Sequence, residues 1–330
     1  MNKLQELISK IDKEHVYIQT HNFPDPDAIS SAFGLQYLLN INGITSTICY
    51  KGKIDRNNTR KMMQMFDIEA TNVDKLGDSI KNSIIILIDA QKSNGNTYDL
   101  ECDEVVSIDH HPIFRNVDYI HSDIRSNIGA CASIIASYFM ENNVDIPVNV
   151  ATALLYGIKV DTANLTRGVS KLDMDMFYAL FFKADTKQLA NLESSSMELD
   201  DLKAYGSAIE SIRVEDGIGF ANTGADCPEA LIAEIADFIS EIQNICFSVV
   251  YSIRKEGIKL SVRSLRNSGY NAGEIIIEAL EGLGTGGGHV TMAGGYVSFR
   301  GKTETTEELV EKIINNFKRI VAREMEKFIL

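Results

Sequence analysis

Residue types that bind divalent cations recur in this chain where buried strands are predicted to end. In the segment H-N-F-P-D-P-D-A, His21 is followed by Asp25 and Asp27. Asp25 precedes a proline and is biased to an extended backbone, so two carboxylates two positions apart can converge on one point. Such carboxylates repel each other unless a cation lies between them. The alternative is that Asp27 only caps the helix that begins there.

Three further segments end in ligands of the same kind: Asp89 after the apolar run I-I-I-L-I, the triplet Asp109-His110-His111 after a shorter strand, and Asp161 in the apolar segment Y-G-I-K-V-D-T. Each alone could be a turn residue, a solvated histidine or a helix cap. Asp25, Asp27, Asp89 and Asp161 together are four carboxylates, which two divalent cations would neutralise. A pair of metals is the usual arrangement for clamping the attacking and leaving oxygens in phosphoryl transfer. The added imidazoles favour Mn over Mg or Ca.

A glycine-rich stretch, G-L-G-T-G-G-G-H, runs from Gly282 to His289. It contains a formal G-x-G-x-x-G, but a helix is predicted before it and a loop and strand after it, which excludes a dinucleotide fingerprint. The amides of residues 286–288 could approach an anion closely, with His289 as an added donor. Nearby, Arg263 and Arg266 could contact phosphate or lie on a solvated strand edge.

The periodicity of the 330 residues predicts an α/β protein. We expect a mostly parallel sheet flanked by helices in residues 1–190, a linker at 191–210 and a smaller α/β domain in 211–330. Strands are predicted at 16–20, 45–50, 84–88, 104–108, 217–223, 246–254, 257–263 and 295–300. Helices are predicted at 4–11, 28–39, 130–142, 148–159, 172–182, 228–242, 272–280 and 305–328.

Charge and composition exclude several classes of function. The net charge of −14 argues against a protein that tracks along a long nucleic-acid duplex. The five cysteines are an odd number without C-x-x-C spacing, so neither a disulfide framework nor a cysteine zinc site is expected. No stretch approaches the ~18 apolar residues of a membrane span. We therefore expect a cytoplasmic protein with reduced thiols.

These segments resemble the DHH phosphoesterase family in order and in kind. The first motif, Asp89, the triplet Asp109-His110-His111 and Asp161 are similar to its four motifs, and the glycine stretch is similar to its associated C-terminal domain. The two-domain layout most resembles the branch of oligoribonucleases (nano-RNases), phosphoadenosine-phosphate (pAp) phosphatases and hydrolases of cyclic and linear dinucleotides. Pro26 and Ser30 stand where the family often has glycine, which leaves the exact substrate open.

The resemblance implies a role for each candidate residue. One metal would be held by His21, Asp25 and Asp89, and the other by Asp27, Asp89, His110 and Asp161, with Asp89 as the bridge. His111 would contact the scissile phosphate or the leaving oxygen, and Asp109 would orient a ligand histidine. Arg263, His289 and the amides of Gly286, Gly287 and Gly288 would hold a terminal phosphate or the far nucleotide across the cleft between the domains.

We therefore expect a two-metal hydrolase that acts by attack of a metal-bridging hydroxide, with Mn²⁺ as the favoured ion and Mg²⁺ or Co²⁺ as alternatives. The expected substrates are short oligoribonucleotides, linear dinucleotides such as pGpG or pApA, or pAp, with no long duplex and no membrane as partner. An inorganic pyrophosphatase or exopolyphosphatase and a nucleotide-sensing regulatory protein are the alternatives. The formation of a homodimer stays open.

Overall fold

The computed structural model describes residues 2–54, 56–81, 83–102, 104–113, 115–194, 199–265 and 268–329. The chain divides into two compact units, Met1–Ser196 and Met197–Leu330. Arg266 and residues 195–198 of the predicted linker lie outside the described residues.

The first unit is built on a six-stranded sheet whose neighbouring strands all pair in parallel. Its strands are β1 (His15–Thr20), β2 (Thr45–Tyr50), β3 (Ala70–Asn72), β4 (Ile84–Ile88), β5 (Glu104–Asp109) and β6 (His121–Ile124). They lie in the order β3-β2-β1-β4-β5-β6, and every residue of β4 is buried. The strand order reverses between β1 and β4, and ligands of open α/β sheets bind beside such a point, at the carboxyl ends of the strands.

Seven α-helices are described in this unit: α1 (Lys3–Lys10), α2 (Pro26–Ile41), α3 (Asn57–Met65), α4 (Cys131–Glu141), α5 (Val148–Asp161), α6 (Lys171–Phe181) and α7 (Thr186–Glu193). The apolar sides of α2, α4 and α5 pack with the sheet into one core. Gly157 allows α5 to approach the start of α2, because a Cβ there would lie 2.3 Å from Ser30 Oγ and 3.2 Å from Asp27 Cα. This close approach brings the end of α5, Asp161, to the start of α2.

The second unit has a mixed sheet in the order β11-β12-β10-β9-β8-β7, in which β8 and β9 pair in parallel and the other neighbours antiparallel. Its strands are β7 (Arg213–Glu215), β8 (Ile218–Ala225), β9 (Phe247–Arg254), β10 (Gly257–Ser264), β11 (Thr285–Gly288) and β12 (Met292–Ser298). Its helices are α8 (Asp201–Ser211), α9 (Glu229–Ser240), α10 (Ala272–Ala279) and α11 (Thr306–Ile329). Core residues on both sides of the sheet, such as Phe247 and Ile235, are fully buried.

The predicted fold class is confirmed, and the elements that sequence analysis missed are short or polar. The strands β3 and β6 have three and four residues, and β6 reads H-S-D-I, too short for a periodic signal. Helix α8 lies partly within the predicted linker, where Ala204 and Ala208 bury one face of it. The sequence predicts a loop for the glycine stretch, but Thr285–Gly288 pairs with β12 as a strand.

Two expectations from composition concern cysteines and membrane spans. All five cysteines are free thiols in the structure. Among the described residues, no helix has the length and apolar character needed to cross a bilayer.

Candidate metal centre

The predicted ligands of the first unit come together at the carboxyl ends of its central strands. His21 follows β1 directly, Asp89 follows β4, and His110 follows β5. Asp25 and Asp27 lie at the start of α2, and Asp161 is the last residue of α5. Because neighbouring parallel strands end at one edge of a sheet, four separate chain segments supply one cluster.

Asp25 performs the capping role that the sequence left open for Asp27. It is the N-cap of α2, and its Oδ1 accepts hydrogen bonds from the amides of Asp27 and Ala28 at 3.0 and 3.1 Å. The same Oδ1 lies 3.8 Å from His21 Nε2. The cap therefore fixes the Asp25 carboxylate in front of an imidazole.

Asp27 is completely buried and reaches across to a different helix. Its two oxygens accept hydrogen bonds from the amides of Cys131 and Ala132, at 2.8 and 2.9 Å. These are the first amides of α4, whose N-cap residue is an alanine without a capping side chain. Asp27 thus supplies the anion that the positive end of a helix attracts, and its remaining lone pairs face the cluster.

Asp89 lies at the centre of the cluster. Its Oδ2 is 3.6 Å from His21 Nε2, and its Oδ1 is 3.3 Å from His110 Nε2 and 3.4 Å from His111 Nδ1. The side chain is buried, yet Oδ1 has no hydrogen-bond partner among the described residues. The backbone of Asp89 has a φ of +55°, a sparsely populated conformation that proteins keep mainly at functional sites.

The backbone fixes the tautomers of two histidines. His21 Nδ1 lies 2.8 Å from the carbonyl oxygen of Asn22, and His110 Nδ1 lies 3.1 Å from that of Ile128. A carbonyl oxygen only accepts, so each Nδ1 carries a proton, and Nε2 is the nitrogen that faces the carboxylates. Hydrogen bonds of this kind are typical of metal-binding histidines.

Three overlapping groups of ligand atoms result. They are His21, Asp25 and Asp89; Asp27, His110 and Asp161; and Asp89, His110 and His111. Within each group the atoms lie within 4.8 Å of one another, and His110 Nε2 is 3.2 Å from Asp161 Oδ2. Asp89 and His110 each belong to two of the groups, so the three groups form one continuous cluster.

The pKa shifts show how strongly these charges interact. Burial alone would lower the pKa of His21, but the carboxylates of Asp25 and Asp89 raise it to about 9. Burial raises the pKa of Asp27 well above its usual value, and the charges of Asp89 and Asp161 raise it further. Burial likewise raises the pKa of Asp161. A cation would relieve this concentration of buried negative charge, so the donor set fits divalent metal ions.

Asp109 orients His111. Its Oδ1 accepts a hydrogen bond from His111 Nδ1 at 2.8 Å, whereas His110 is held by a backbone carbonyl. The physical reason is the bend after β5, in which the same Oδ1 also accepts hydrogen bonds from the amides of His110 and His111 at 2.8 and 3.3 Å. His111 lowers the pKa of Asp109 to about 2 against the effect of burial, so the carboxylate stays anionic.

Gln91 is a residue of the site that sequence analysis did not single out. It is buried, and its Nε2 donates to Asp109 Oδ2 at 2.7 Å and contacts the carbonyl of His111 at 3.2 Å. The only indication in the sequence was its position two residues after Asp89. A glutamine that follows a strand is not specific to a functional site.

The candidate phosphate-binding residues lie in the second unit. Gly286 and Gly287 lie in β11. Their backbone, which the sequence offered for binding an anion, is therefore part of a strand that pairs with β12. The amide of His289 donates to the carbonyl of Met292 at 2.7 Å, which closes the turn between the two strands. The glycine stretch is therefore a hairpin strand instead of an open loop.

Arg263 does not present a free guanidinium in the structure. It forms an ion pair with Asp237, and its NH1 and NH2 also donate to Ser261 Oγ at 2.9 Å and to the carbonyl of Ala233 at 3.2 Å. Its side chain is only 11% exposed. All three nitrogens have partners within the second unit, and the role of Arg263 in binding phosphate stays a prediction.

Comparison with known proteins gives two family matches. Residues 15–158 match the N-terminal domain of the DHH family, and residues 216–322 match the DHHA1 domain. The first match begins at β1 and ends within α5, so it includes His21, Asp89 and His110 but stops before Asp161.

Similar proteins have several different activities. An uncharacterized protein of Methanocaldococcus jannaschii is 32% identical over 92% of this chain and 63% of its own length. The cyclic-di-AMP phosphodiesterase PdeA of Listeria monocytogenes is 27% identical, over 94% of this chain and 48% of that protein. A manganese-dependent inorganic pyrophosphatase of M. jannaschii is 24% identical, over 92% and 96%. The chain thus spans less than two thirds of the first of these relatives and about half of the second.

Among solved structures, an exopolyphosphatase-related protein from Bacteroides fragilis aligns with a TM-score of 0.74 at 17% identity, over 98% of this chain and 97% of that one. At this identity the likeness shows a shared fold.

Proposed function

This chain belongs to the DHH family and carries a DHHA1 domain, and from that premise we propose that it is a metal-dependent phosphoesterase that hydrolyses short nucleotides. The substrates we propose are short oligoribonucleotides, linear dinucleotides such as pGpG or pApA, and pAp. In this proposal residues 1–190 form the catalytic domain, and 211–330 bind substrate.

One observation supports the proposal most directly: a buried carboxylate oxygen, Asp89 Oδ1, lies among imidazoles without a hydrogen-bond donor of its own among the described residues. An unpaired buried acceptor costs free energy in a folded protein. A metal ion is the partner that its surroundings of carboxylate and imidazole fit.

We assign the ligands as the family resemblance implies, and the proximity of their side chains supports the assignment. His21, Asp25 and Asp89 would hold one ion, and Asp27, Asp89, His110 and Asp161 the other. The mixture of oxygen and nitrogen ligands favours Mn²⁺, with Mg²⁺ or Co²⁺ as alternatives. When bound, such ions activate water and stabilise negative charge on phosphoryl oxygens.

The residues next to these ligands would orient the substrate and carry protons. Asp109 holds His111 through Nδ1, and although burial alone would lower it, the pKa of His111 is raised by Asp109 and Asp89. A histidine that keeps its proton can donate to the scissile phosphate or to the leaving oxygen. In this proposal His111 is a catalytic residue and Asp109 a positioning residue.

Terminal groups of the substrate are assigned to the second unit. We propose that Gly286, Gly287, Gly288 and His289 bind a phosphate or the far nucleotide, since glycine allows close approach to an anion. The net charge of −14 suits short substrates, because long polyanions are bound through broad basic surfaces.

A second function has support of its own. The similarity to a manganese-dependent inorganic pyrophosphatase extends over 92% of this chain and 96% of that protein, so cleavage of pyrophosphate is the alternative activity. The ligand cluster alone does not distinguish an ester from an anhydride.

The test uses the full chain, stripped of metal with a chelator and then loaded with Mn²⁺. It is incubated with pGpG, pApA, two- to five-residue oligoribonucleotides, pAp, cyclic dinucleotides and pyrophosphate, and initial rates are ranked. We expect hydrolysis of short nucleotides that disappears when the metal is removed. No hydrolysis of any of these compounds would refute the proposal, and faster turnover of pyrophosphate would favour the alternative.

A further inference from the structure

Phe23 is an exposed aromatic residue inside the ligand-bearing segment of the first unit. It lies two residues from both His21 and Asp25, and it is 51% exposed, whereas the side chains of those two ligands are only 13% and 16% exposed. Other large apolar side chains of this chain are as exposed as Phe23, but Phe23 is the one that lies between two residues of the candidate metal centre.

The backbone holds Phe23 in an unusual conformation. Its φ is +55°, which is an outlier for a bulky residue. The amide of Phe23 donates to the carbonyl of Lys51 at 3.1 Å, and the amide of Asn22 donates to that of Asn96 at 2.7 Å. The fold therefore determines where the ring lies.

One edge of the ring rests on a glycine. A Cβ at Gly52 would lie 2.9 to 3.1 Å from three ring carbons of Phe23, and Gly52 itself has a φ of +87°. Any larger residue at position 52 would push the ring away. Glycine here supports the ring closely from one side while its exposed part faces solvent.

A second exposed aromatic residue and a cation lie beside this loop. Asn22 Oδ1 accepts a hydrogen bond from the amide of Tyr98 at 3.1 Å, and Tyr98 is 44% exposed. The ammonium of Lys51 lies 4.8 Å from the centre of the Tyr98 ring. The same ammonium pairs with Asp74, so it holds Lys51 and Tyr98 in place beside the loop. Exposed aromatic side chains are the surfaces on which bases of single-stranded nucleic acids stack.

We propose that Phe23 is a stacking surface for a nucleobase of the substrate and thereby selects nucleotides over phosphates without a base. This inference rests on the proposed function. Two residues of chain span at most about 7 Å, so the stacked base belongs to a nucleotide whose phosphate lies at His21 and Asp25. Pyrophosphate has no group that could use the ring.

The experiment compares two phosphodiesters with the Mn²⁺-loaded full chain: a dinucleotide, and the same sugar-phosphate backbone without bases. The readout is the ratio of the two kcat/KM values. In Phe23→Leu we expect the ratio to fall about tenfold through a higher KM for the dinucleotide, which equals about 1.4 kcal/mol. Phe23→Tyr, which keeps a ring, should restore the ratio. Tyr178→Leu is the matched control, because Tyr178 is a 69% exposed aromatic residue on α6.

Binding to the unaltered protein gives a second readout that does not depend on the folding of a variant. We expect AMP to bind at least about tenfold more tightly than ribose 5-phosphate in calorimetry, since stacking adds to the phosphate contacts. Equal affinities, or an unchanged ratio in Phe23→Leu, would overturn the stacking role alone. If the unaltered protein cleaves neither phosphodiester and no other short nucleotide, the proposed function itself fails, and the stacking role with it.

Discussion

Two sets of buried carboxylates in the first unit differ in how they are paired. Asp173 is fully buried and accepts hydrogen bonds from the amides of Gly129 and Ser170 and the hydroxyls of Ser133 and Ser170, at 2.6 to 2.8 Å. Asp89 is almost as buried, but one of its oxygens has no donor in the described part of the chain. The first arrangement is complete without a ligand, whereas the second leaves a buried oxygen to which a cation could bind.

Asp123 gives a third example, at the edge of the same sheet. Arg125 pairs with both of its oxygens at 2.7 and 2.9 Å, and the Tyr138 hydroxyl donates at 2.7 Å. The comparison teaches that burial alone does not identify a functional carboxylate. Asp89 differs from Asp173 and Asp123 because the described residues supply no hydrogen-bond donor to one of its buried oxygens.

The largest expected effect is on activity. Asp89→Asn removes the carboxylate shared by two ligand groups, so we expect hydrolysis to fall by about 10³-fold or more. The gain in the free energy of unfolding from Mn²⁺, about 2.7 kcal/mol at 100 times the dissociation constant, should also disappear. Initial rates and thermal unfolding with and without metal measure both effects.

A matched control for Asp89→Asn is Asp175→Asn, an exposed aspartate that pairs with Lys171 on α6. It should keep both the activity and the stabilisation by metal. If Asp89→Asn were still stabilised by Mn²⁺, Asp89 would not be a metal ligand, and its contrast with Asp173 would be refuted.

The second prediction is that Asp173→Ala loses stability but keeps metal binding. Asp173→Ala leaves the amide of Gly129 and the hydroxyl of Ser133 without their acceptor and breaks the capping box at the start of α6. We expect the free energy of unfolding to fall by about 3 kcal/mol, with the increment from Mn²⁺ preserved. Urea unfolding with and without metal separates the two quantities.

Asp173→Asn keeps one acceptor oxygen and should lose less stability than the alanine variant. A loss of metal binding together with normal stability in either variant would show that this network belongs to the metal centre.

The smallest expected effect concerns Asp123 and depends on pH. Burial alone would raise the pKa of Asp123, but hydrogen bonds from Arg125 and Tyr138 lower it. A lowered pKa contributes stability that is present above the unfolded value of about 3.9 and is lost as the pH falls through the folded value. Tyr138→Phe removes one donor, so we expect a loss of about 1.5 kcal/mol at pH 7 that shrinks below pH ~4. Urea unfolding at pH 7 and pH 3 gives the comparison, and a loss that is equal at both would refute the role of Tyr138.

The sequence alone predicts the α/β class, most of the long elements and the ligand set at the strand ends. The reason is physical: strand and helix periodicity is local, and parallel strands place the residues that follow them at one edge. Local patterns are therefore enough to group His21, Asp89 and His110, and the family resemblance implies which atoms share a metal.

Only the tertiary structure showed which groups contact the predicted ligand residues. The contacts of Asp27 with the start of α4 join residues 104 and 105 positions apart, and no local pattern encodes such a distance. The structure also assigned Asp109 to His111, paired Arg263 with Asp237, and made a strand of the glycine stretch. Each of these depends on which donor or strand the fold brings alongside, and packing sets that after the local elements have formed.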